Sequence, residues 1–426
     1  MNIWYFHHYA TPSQIAGLHR PFEFGKYFLK EGHTLTVFSS SYLHYVDENL
    51  ISDGQAFLEK EYDGIKTVFV KTSGYQSSGV KRIINMVQFA QRIFSVARKY
   101  EKANGKPDVI IASSPHPLVM LAGLKIAKKY KIPCVCEIRD FWPEVFFTGG
   151  RLKEKSLFGK FLLSQERKIY ERADILLFLK EGDHTYITDR KWDTEQGGKI
   201  DMAKCRYINN GVDLEKFRNN VQEYQKDASD LATDKFTVTY CGAIRPVNNV
   251  DLLLDAAKQL KDDVQILIYG TGNCVDELQS RIDKENISTV KLKGYVENKY
   301  VPFILSKSSV NILNYSAKQY NWSRGNSSNK LFEYLASGKP VISTVKMGYD
   351  ILEKYDCGIS TEECSGEKIA KAIQEIKNLT QTEYDGMCKN AEYAATQFDI
   401  ANLSIQYIEL LQDAKEKYGK GREKTK

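Results

Sequence analysis

The segment from residue 324 to residue 342, which reads RGNSSNKLFEYLASGKPVI, carries residue types that could bind a phosphate-bearing ligand. Its Asn and Ser side chains precede a predicted helix that Gly338 ends, and a helix start offers free backbone N–H groups and the positive end of its dipole to a diphosphate. Lys330 would add a positive charge, and Glu333 could accept hydrogen bonds from two vicinal ribose hydroxyls. Alternatively, the Ser and Asn residues only cap the helix, and Lys330 pairs with Glu333.

Short apolar runs alternate with helical stretches along the first half of the chain. The predicted strands are 2–6, 34–39, 66–70, 109–112, 134–138, 175–179 and 205–208. The predicted helices are 14–30, 80–100, 118–129, 157–172 and 183–189. This alternation predicts parallel βαβ units, in which ligands bind at the carboxyl ends of the strands.

The second half repeats this organisation after a polar segment, 218–235, that lacks clear periodicity and is predicted to be a linker or a surface excursion. Its predicted strands are 237–240, 265–269, 289–292, 309–313 and 341–343. Its predicted helices are 250–260, 275–284, 330–336, 368–378 and 382–397. We therefore predict an α/β protein with two domains, 1–213 and 214–397, and a helix within 398–426 that packs back on the first domain.

The composition is that of a soluble globular protein, with 42% hydrophobic and 27% charged residues. The net charge of +6 is unevenly distributed, because residues 71–172 contain 20 basic and 8 acidic side chains. This excess favours an acidic partner, such as an anionic membrane, a phosphate-bearing acceptor or a nucleic acid.

We expect neither a signal peptide nor a membrane-spanning segment, and the eight cysteines lack the spacing of a zinc site. No set of His, Asp and Glu residues has metal-ligand spacing either, so we expect no metal and no other cofactor. Reduced thiols are the default for such cysteines, which predicts a cytoplasmic protein.

The segment 324–342 resembles the hallmark of the family 4 glycosyltransferases, whose GT-B fold has two Rossmann-like domains with parallel sheets facing across a cleft. That hallmark has two glutamates separated by seven residues and then AxxxGxPV; here it is matched by Glu333, Ala336, Gly338, Pro340 and Val341, although Gly338 follows Ala336 more closely. The first glutamate would fall at Gly325. A subset of bacterial surface-polysaccharide transferases has a similar SPNKLFEYMAAGKPV pattern, and this chain is most similar to that subset. The resemblance implies that Glu333 binds the donor ribose.

Further segments of the second half are similar to the same family. YCGAIRPVNNVDLLLDA at 240–256 resembles the glycine loop that opens the donor domain, LIYGTG resembles a turn near the donor, and LKGYV resembles the loop that reads the base. Gly242 would let the diphosphate approach the backbone, and Arg245 could neutralise its charge. The implied donor-binding residues are Gly242, Gly270, Gly272, Tyr295, Val296, Asn326, Ser327, Ser328, Asn329, Lys330, Leu331 and Glu333.

The first half contains two candidate sites on the acceptor side. SSPHP at 113–117 follows a buried strand, and the resemblance implies that a histidine near this point contacts the donor sugar, which makes His116 the candidate. EIRDFWPE at 137–144 resembles the RDLWPE of the polysaccharide subset, so Arg139, Asp140 and Trp142 could engage an acceptor, and His8 could line its pocket. Alternatively, His116 caps a helix or lies at the surface, Arg139 pairs with Asp140, and Trp142 packs in the core.

Two stretches of the first half, 81–99 and 151–172, are basic and partly amphipathic. They could dock on an anionic membrane surface near a lipid-linked acceptor, which would place the protein on the inner face of the cell membrane. Alternatively, they are ordinary surface helices whose apolar faces pack against the core.

The resemblance implies a retaining glycosyltransferase that moves a sugar from a nucleoside diphosphate sugar, most commonly linked to UDP, to a hydroxyl. The implied acceptor is a glycan or a polyprenyl-diphosphate-linked glycan of surface-polysaccharide synthesis, such as capsule or O-antigen. The candidate catalytic residues, which would stabilise the leaving diphosphate or orient the acceptor, are His116, Arg245, Lys330 and Glu333.

Three other functions stay open. One is a GT-B nucleotide-sugar 2-epimerase, which would turn over its donor without an acceptor. Another is a non-catalytic partner subunit, which the glycine at position 325 suggests. The third is a nucleic-acid-binding protein, suggested by the basic region alone; because the sequence has no recognisable nucleic-acid module, we predict no nucleic-acid partner.

Overall fold

The computed structural model of the chain describes residues 1–76, 79–317 and 321–423. These residues form two compact units. The first contains Met1–Ile208 and the chain from Leu403 onwards, and the second contains Asn209–Asn402. The limits predicted from the sequence were residues 213 and 397.

The first unit is built on a mostly parallel sheet. Its strands, in chain order, are β1 (Asn2–His7), β2 (Thr34–Ser40), β3 (Tyr42–Leu43), β4 (Glu48–Asn49), β5 (Phe57–Tyr62), β6 (Ile65–Val70), β7 (Val109–Ser113), β8 (Cys134–Ile138), β9 (Ile175–Phe178) and β10 (Cys205–Tyr207). Strands β3 and β4 pair with each other, and the other eight have the order β10-β9-β8-β7-β1-β2-β6-β5. Within these eight strands, only β5 runs antiparallel to its neighbour. The strand order reverses between β1 and β7, so their carboxyl ends form a topological switch point.

The helices of this unit are α1 (Arg20–Lys30), α2 (Gly79–Asn104), α3 (Pro117–Tyr130), α4 (Glu144–Thr148), α5 (Leu157–Arg172) and α6 (Thr185–Asp189). The prediction that the first helix starts at residue 14 is wrong. Residues before Arg20 form a loop in which Ala10 and Leu18 make an isolated bridge, and Pro21 lies in the first helical turn, where a missing N–H costs no hydrogen bond.

The core of the first unit lies against the central strands. Strands β7 and β8 are buried at every residue, which explains why their sequences are continuous apolar runs rather than alternating ones. On one face, the ring of Trp4 packs 5.0 Å from that of Phe38 and 5.7 Å from that of Tyr100. The sequence does not predict β5, because its FLEKEY stretch is largely exposed at the sheet edge and carries charged residues.

The second unit has a fully parallel six-stranded sheet. Its strands are β11 (Phe236–Cys241), β12 (Val264–Tyr269), β13 (Val290–Gly294), β14 (Val310–Leu313), β15 (Val341–Ser343) and β16 (Gly358–Ser360), in the order β13-β12-β11-β14-β15-β16. This order reverses between β11 and β14, which makes a second switch point. Successive residues of β12 belong to different core clusters, Ile266 to one and Leu267 to the other, so both faces of this sheet are covered.

The helices of the second unit are α7 (Leu214–Glu223), α8 (Ala228–Leu231), α9 (Leu252–Ala257), α10 (Val275–Lys284), α11 (Val301–Lys307), α12 (Asn329–Ala336), α13 (Ile351–Lys354), α14 (Gly366–Lys377) and α15 (Gln381–Gln397). Helix α7 includes the first residues of the segment 218–235, so a linker is wrong for residues 218–223, whereas the absence of buried residues among them agrees with a surface excursion. Asp213 caps it by accepting the N–H of Lys216, and only Leu214 and Phe217 are buried along it. Two buried positions are too few to produce a clear apolar period in the sequence.

The last helix, α16 (Ile400–Glu423), belongs to the first unit from Leu403 onwards. Its Tyr407 is buried, with ring centroids 5.5 Å from Phe24 and 5.4 Å from Phe28 of α1. Among the helices of the described ranges, none combines the length and the apolar character that crossing a membrane requires.

Candidate functional site

The switch point of the second unit holds a lysine between two aromatic side chains. Nζ of Lys330, in the first turn of α12, lies 3.3 Å from the Tyr240 hydroxyl, and it is 5.0 and 5.4 Å from the ring centroids of Tyr240 and Tyr315. Tyr240 is in β11, and Tyr315 follows β14. Burial lowers the pKa of Lys330 to about 8, although Cys241 and Glu333 act in the opposite direction. The site therefore contains a cation that is poorly compensated in the unliganded protein.

The residue that begins α12 does not cap the helix with its side chain. Ser328 occupies the capping position but forms no capping hydrogen bond, because its Oγ lies 2.5 Å from the hydroxyl of Tyr315. The N–H of Ser328 itself donates to the side chain of Asn326 at 2.9 Å. The first turn carries the positive end of the helix dipole, and one of its N–H groups, that of Leu331, donates to the carbonyl oxygen of Ser328 at 3.1 Å.

Ser327, the residue before this capping position, has a structural partner. The backbone N–H of Asn210 donates to its Oγ at 3.1 Å, and the Asn210 side-chain amide donates to its carbonyl oxygen at 2.7 Å. These bonds fix the loop before α12 to the segment that opens the second unit.

The glycines of the loops after β11 and β12 serve close packing between backbones. A Cβ at Gly270 would lie 1.8 Å from the carbonyl oxygen of Gly242, and a Cβ at Gly272 would lie 2.0 Å from that of Ile244. A Cβ at Gly242 would come within 2.8 Å of Nζ of Lys330. Gly242 thus leaves room for the lysine, and Arg245 follows on the same loop with an exposed side chain.

The side chains of the remaining donor-side candidates differ in solvent exposure. Tyr295 is 68% exposed after β13, and Asn329 is exposed at the start of α12. The side chains of Val296 and Leu331 are buried in the core, so only their backbones could meet a ligand. Glu333 lies one turn into α12 and is partly buried.

Gly325, at the position of the missing first glutamate, has a backbone conformation that is almost confined to glycine, with φ 97° and ψ −168°. The departure from the hallmark is therefore more than a change of side chain, because a glutamate could not adopt this backbone without strain. The sequence shows the missing carboxylate but not the altered loop.

The switch point of the first unit brings His8 and His116 together. His116 Nε2 lies 2.8 Å from His8 Nδ1, and His8 Nε2 lies 2.6 Å from Oδ1 of Asn85 in α2. Burial lowers the pKa of His8 to about 3 and that of His116 well below its usual value, so both rings are neutral. His116 is only 1% exposed and makes no capping hydrogen bond, which overturns the alternative that it caps a helix or lies at the surface.

Glu137, at the end of β8, organises the polar core of this unit. It is fully buried and accepts hydrogen bonds from Tyr5 (2.6 Å), Ser113 (2.7 Å), Arg20 (2.9 Å) and Tyr407 (3.2 Å). Burial alone would raise its pKa, but Arg20, Arg139 and these hydrogen bonds lower it to about 2. Sequence reasoning missed this residue, although a glutamate inside the apolar run CVCEI was a usable signal.

The acceptor-side candidates after β8 lie in different environments. Arg139 donates its backbone N–H to Ser114 Oγ at 2.8 Å, and its Nη1 is 4.0 Å from Glu137. Asp140 is exposed.

The alternative that Trp142 packs in the core is wrong. Trp142 is only partly buried, and the core position is taken by Phe141, whose ring stacks 4.1 Å from that of Tyr186.

Helices α2 and α5 expose apolar side chains beside their basic ones. On α5, Leu157 is 89% exposed, Phe158 60% and Phe161 55%, and Lys160 lies among them. On α2, the exposed apolar side chains include Val80, Ile83, Ile84 and Phe94. Both helices also have the apolar core face that the alternative describes, with Phe89 and Ile93 of α2 and Ile169 and Tyr170 of α5 in the core. The exposed apolar side chains are present in addition to this core face.

Two family models match the chain. The model described as Glycosyltransferase Family 4 matches residues 22–216, and the model described as Glycosyl transferases group 1 matches residues 221–397. The chain is a family 4 glycosyltransferase. The family resemblance seen in the sequence and the predicted GT-B fold are thereby confirmed.

Curated relatives of this glycosyltransferase match over part of their length. A Campylobacter jejuni protein, N-acetylgalactosamine-N,N'-diacetylbacillosaminyl-diphospho-undecaprenol 4-alpha-N-acetylgalactosaminyltransferase, is 33% identical over 160 residues, which are 37% of this chain and 39% of that protein. TuaH of Bacillus subtilis, a candidate teichuronic acid biosynthesis glycosyltransferase, is 26% identical over 207 residues, 48% of this chain and 51% of its own. The matches thus span about half of each relative or less.

A solved structure matches over nearly the whole chain. HepE of Anabaena, crystallised with UDP, superposes with a TM-score of 0.68 at 14% identity and covers 97% of this chain and 99% of its own. At this identity the likeness shows the shared fold alone.

Proposed function

We propose that this family 4 glycosyltransferase transfers a sugar from a UDP-sugar, with retention at the anomeric carbon, to a hydroxyl of a polyprenyl-diphosphate-linked glycan. The observation that carries the proposal is the uncapped start of α12 with Lys330 held between two tyrosines. A diphosphate would compensate this cation and accept hydrogen bonds from N–H groups of the first turn that the Ser328 side chain leaves uncapped. The UDP bound to HepE and the lipid-linked acceptor in the name of the Campylobacter relative support the choice of substrates.

The proposed chemistry needs stabilisation of negative charge more than it needs a strong base. The bond between the anomeric carbon and the diphosphate breaks, and its electron pair stays on the leaving UDP. The acceptor hydroxyl oxygen bonds to the same face of the anomeric carbon, and its proton passes to a leaving phosphate oxygen. Lys330, the α12 dipole and the exposed Arg245 would stabilise the departing charge, and Glu333 would hold the ribose.

Nucleotide binding tests the donor assignment. We expect UDP to raise the melting temperature and to bind in calorimetry, and Glu333→Ala to remove its preference over dUDP, which lacks one ribose hydroxyl. Glu392→Ala, in α15 of the same unit, is the control. If Glu333→Ala lowered the affinities for UDP and dUDP equally, this carboxylate would be excluded from ribose binding.

Turnover of the donor alone separates the proposed transferase from an epimerase. We expect a UDP-sugar to be stable with the protein until a membrane extract with lipid-linked glycans is added, and the label then to enter the lipid fraction. Conversion of the sugar without an acceptor would favour the 2-epimerase. Failure of any UDP-sugar to bind would favour the partner subunit.

We further propose that α2 and α5 dock on the anionic inner surface of the cell membrane, where a lipid-linked acceptor would be found. The support is the exposed group of Leu157, Phe158 and Phe161 next to Lys160, because large apolar side chains beside basic ones suit an interface of acyl chains and anionic headgroups.

Vesicle binding tests this docking. We expect cosedimentation with vesicles that contain phosphatidylglycerol and loss of binding when Leu157, Phe158 and Phe161 are all changed to serine. Tyr393→Ser, which removes an equally exposed aromatic residue of the second unit, should bind like the unmodified protein. Equal binding by the triple variant would exclude α5 as the docking surface.

A further inference from the structure

A buried hydrogen-bonded chain in the first unit fixes the position of ring protons. The Asn85 side-chain amide donates from Nδ2 to the carbonyl oxygen of Ser73 at 2.6 Å, which orients Oδ1 towards His8. Oδ1 can only accept, so Nε2 of His8, 2.6 Å away, carries the proton of this neutral ring.

The next bond in the chain follows from this tautomer. With its proton on Nε2, His8 has a lone pair at Nδ1, so the bond of 2.8 Å to His116 must be donated by Nε2 of His116. His116 is neutral too, and its Nδ1 therefore carries a lone pair. In the described chain this buried Nδ1 has no hydrogen-bond partner.

We propose that Asn85 and His8 are positioning residues that hold His116 as a hydrogen-bond acceptor for a sugar hydroxyl. This inference rests on the proposed transfer reaction and names the group that the acceptor-side edge of the first sheet would recognise. A hydroxyl can donate to the Nδ1 lone pair, whereas a phosphate or carboxylate oxygen has no proton to give at neutral pH. His8 then acts through His116 and does not itself touch the sugar.

The charged groups around His116 keep this arrangement over a wide pH range. The titratable groups that act on it are His8 beside it, His7 at the end of β1 and Arg82 on α2, and all of them disfavour a protonated imidazolium, as does burial. The carboxylate of Glu137 is held by Arg20 and two tyrosines, and it does not counteract them at His116. His116 thus remains an acceptor where an isolated histidine would become a donor.

His7 offers a hydrogen-bond donor at the same edge of the sheet at which His116 offers an acceptor. Its Nδ1 accepts the backbone N–H of Tyr9 at 3.2 Å, so its neutral ring carries the proton on Nε2. That Nε2 is buried and, like Nδ1 of His116, has no partner in the described residues. A hydroxyl, which both donates and accepts, suits an edge that offers one acceptor and one donor.

The tautomer can be read directly in the unmodified full-length protein, without any substrate. Nitrogen-15 NMR of the labelled histidines distinguishes protonated from unprotonated ring nitrogens. We expect His116 to carry its proton on Nε2 between pH 5 and 9. A proton on Nδ1 of His116 would overturn the proposal, whatever the protein transfers.

A near-isosteric variant tests the relay. Asn85→Asp places a carboxylate beside His8, which should favour the protonated His8 ring, make its Nδ1 a donor and turn His116 to the opposite tautomer. Asn104→Asp, the same change at an exposed position of α2, is the control. We expect the exchanged NMR signature and a loss of transfer activity of roughly tenfold or more in Asn85→Asp only.

Binding of UDP and of UDP-glucose to the variant identifies which sugar supplies the hydroxyl. If the transferred sugar supplies the hydroxyl, Asn85→Asp weakens the binding of UDP-glucose and leaves the binding of UDP unchanged. If the acceptor sugar does, both affinities stay unchanged and the KM for the lipid acceptor rises. An exchanged tautomer with unchanged affinities and kinetics would overturn the positioning role. If the unmodified protein binds no UDP-sugar at all, the proposed function fails while the NMR result still stands.

Discussion

The switch points of the two units share a backbone arrangement and differ in the charge they present. In the second unit, the edge between β11 and β14 holds Lys330 and an uncapped helix start. In the first, the edge between β1 and β7 holds three neutral histidines, His7, His8 and His116, and α3 begins with Pro117, whose nitrogen has no hydrogen to donate. Under the proposed function, the reversal of strand order places both binding edges, and a few side chains make one suited to an anion and the other to a hydroxyl.

The same contrast applies to the buried charges. The carboxylate of Glu137 lies near the first switch point, but Arg20 and three hydroxyl groups satisfy it. Lys330 has aromatic rings and a hydroxyl around it instead. A charge that is fully paired stabilises the fold, whereas a charge that is poorly paired is available to a ligand.

Removing Glu137 should have the largest effect, and it should be confined to the first unit. We expect Glu137→Ala to lower the free energy of unfolding by about 3–5 kcal/mol, because Arg20 would stay buried without its carboxylate. Urea unfolding would measure this, with Glu171→Ala, which breaks a partly exposed pair with Arg167, as a control of small effect. An equal loss in both variants would contradict the role of Glu137.

The stability that Glu137 supplies should depend on pH in one direction. Its folded pKa of about 2 lies below the usual value, so the folded state binds fewer protons than the unfolded state between these two values. The contribution is therefore complete above the ordinary glutamate pKa and is lost as the pH falls towards 2.

Removing the cation of the second unit should have the next largest effect, on binding rather than on folding. We expect Lys330→Met to weaken the affinity for UDP by about 10²–10³-fold, since a charge that contacts a phosphate away from solvent contributes roughly 3–4 kcal/mol to binding. Calorimetry with Lys346→Met, an exposed lysine that pairs with Glu362, provides the control. If UDP bound equally well to both variants, the anion would have to bind elsewhere.

Gly325 tests whether the altered hallmark loop tolerates a side chain. We expect Gly325→Ala to destabilise the protein by about 1–3 kcal/mol, because its φ of 97° and ψ of −168° suit glycine alone. Gly325→Glu should lose stability similarly and gain no transfer activity. Gly386→Ala, where a glycine lies inside α15 with open space around it, should instead be neutral or stabilising. A more active Gly325→Glu variant would show that only the carboxylate is missing.

The two edges should also differ in their response to pH. Because the pKa of Lys330 is about 8, the free protein loses this charge above pH 8, and UDP affinity should fall by up to about tenfold per pH unit. Lys330→Arg should remove this dependence, since a guanidinium stays charged. Titration calorimetry between pH 7 and 9.5 would measure both, and a flat profile in the unmodified protein would contradict a lowered lysine pKa.

Arg245 should have the smallest effect. Its side chain is exposed on the loop after β11, where solvent screens its charge. We expect Arg245→Ala to weaken the affinity for UDP by about fivefold at low salt and by less at high salt. A loss as large as that of Lys330→Met would show that the loop encloses the diphosphate.

Regular periodicity predicted most of the fold. The buried strands β1, β7, β8 and β11 lie close to their predicted limits. Their sequences are short, mostly apolar runs bounded by polar residues, and such runs are typical of buried strands. Of the elements that were missed, β5 and α7 are largely exposed, and exposure removes the apolar period on which such predictions depend. Helix α11 was also missed although residues 302–305 are buried, because seven residues are too few to show a helical period.

The candidate sites divide in the same way. The start of α12 could be predicted because its capping residues, lysine and glutamate are adjacent in the sequence. The partners of His116 and Glu137 could not be predicted, since His8 lies 108 residues from His116 and Arg20 lies 117 residues from Glu137 along the chain. No local pattern joins residues at such separations.

The sequence alone determined two α/β units of the GT-B fold and a helix start suited to a diphosphate, because both depend on residues near each other in the chain. The tertiary structure decided which of the buried groups stay charged and which histidine nitrogen keeps a lone pair. Protonation depends on burial and on hydrogen-bond partners, and these are known only when distant segments have packed together.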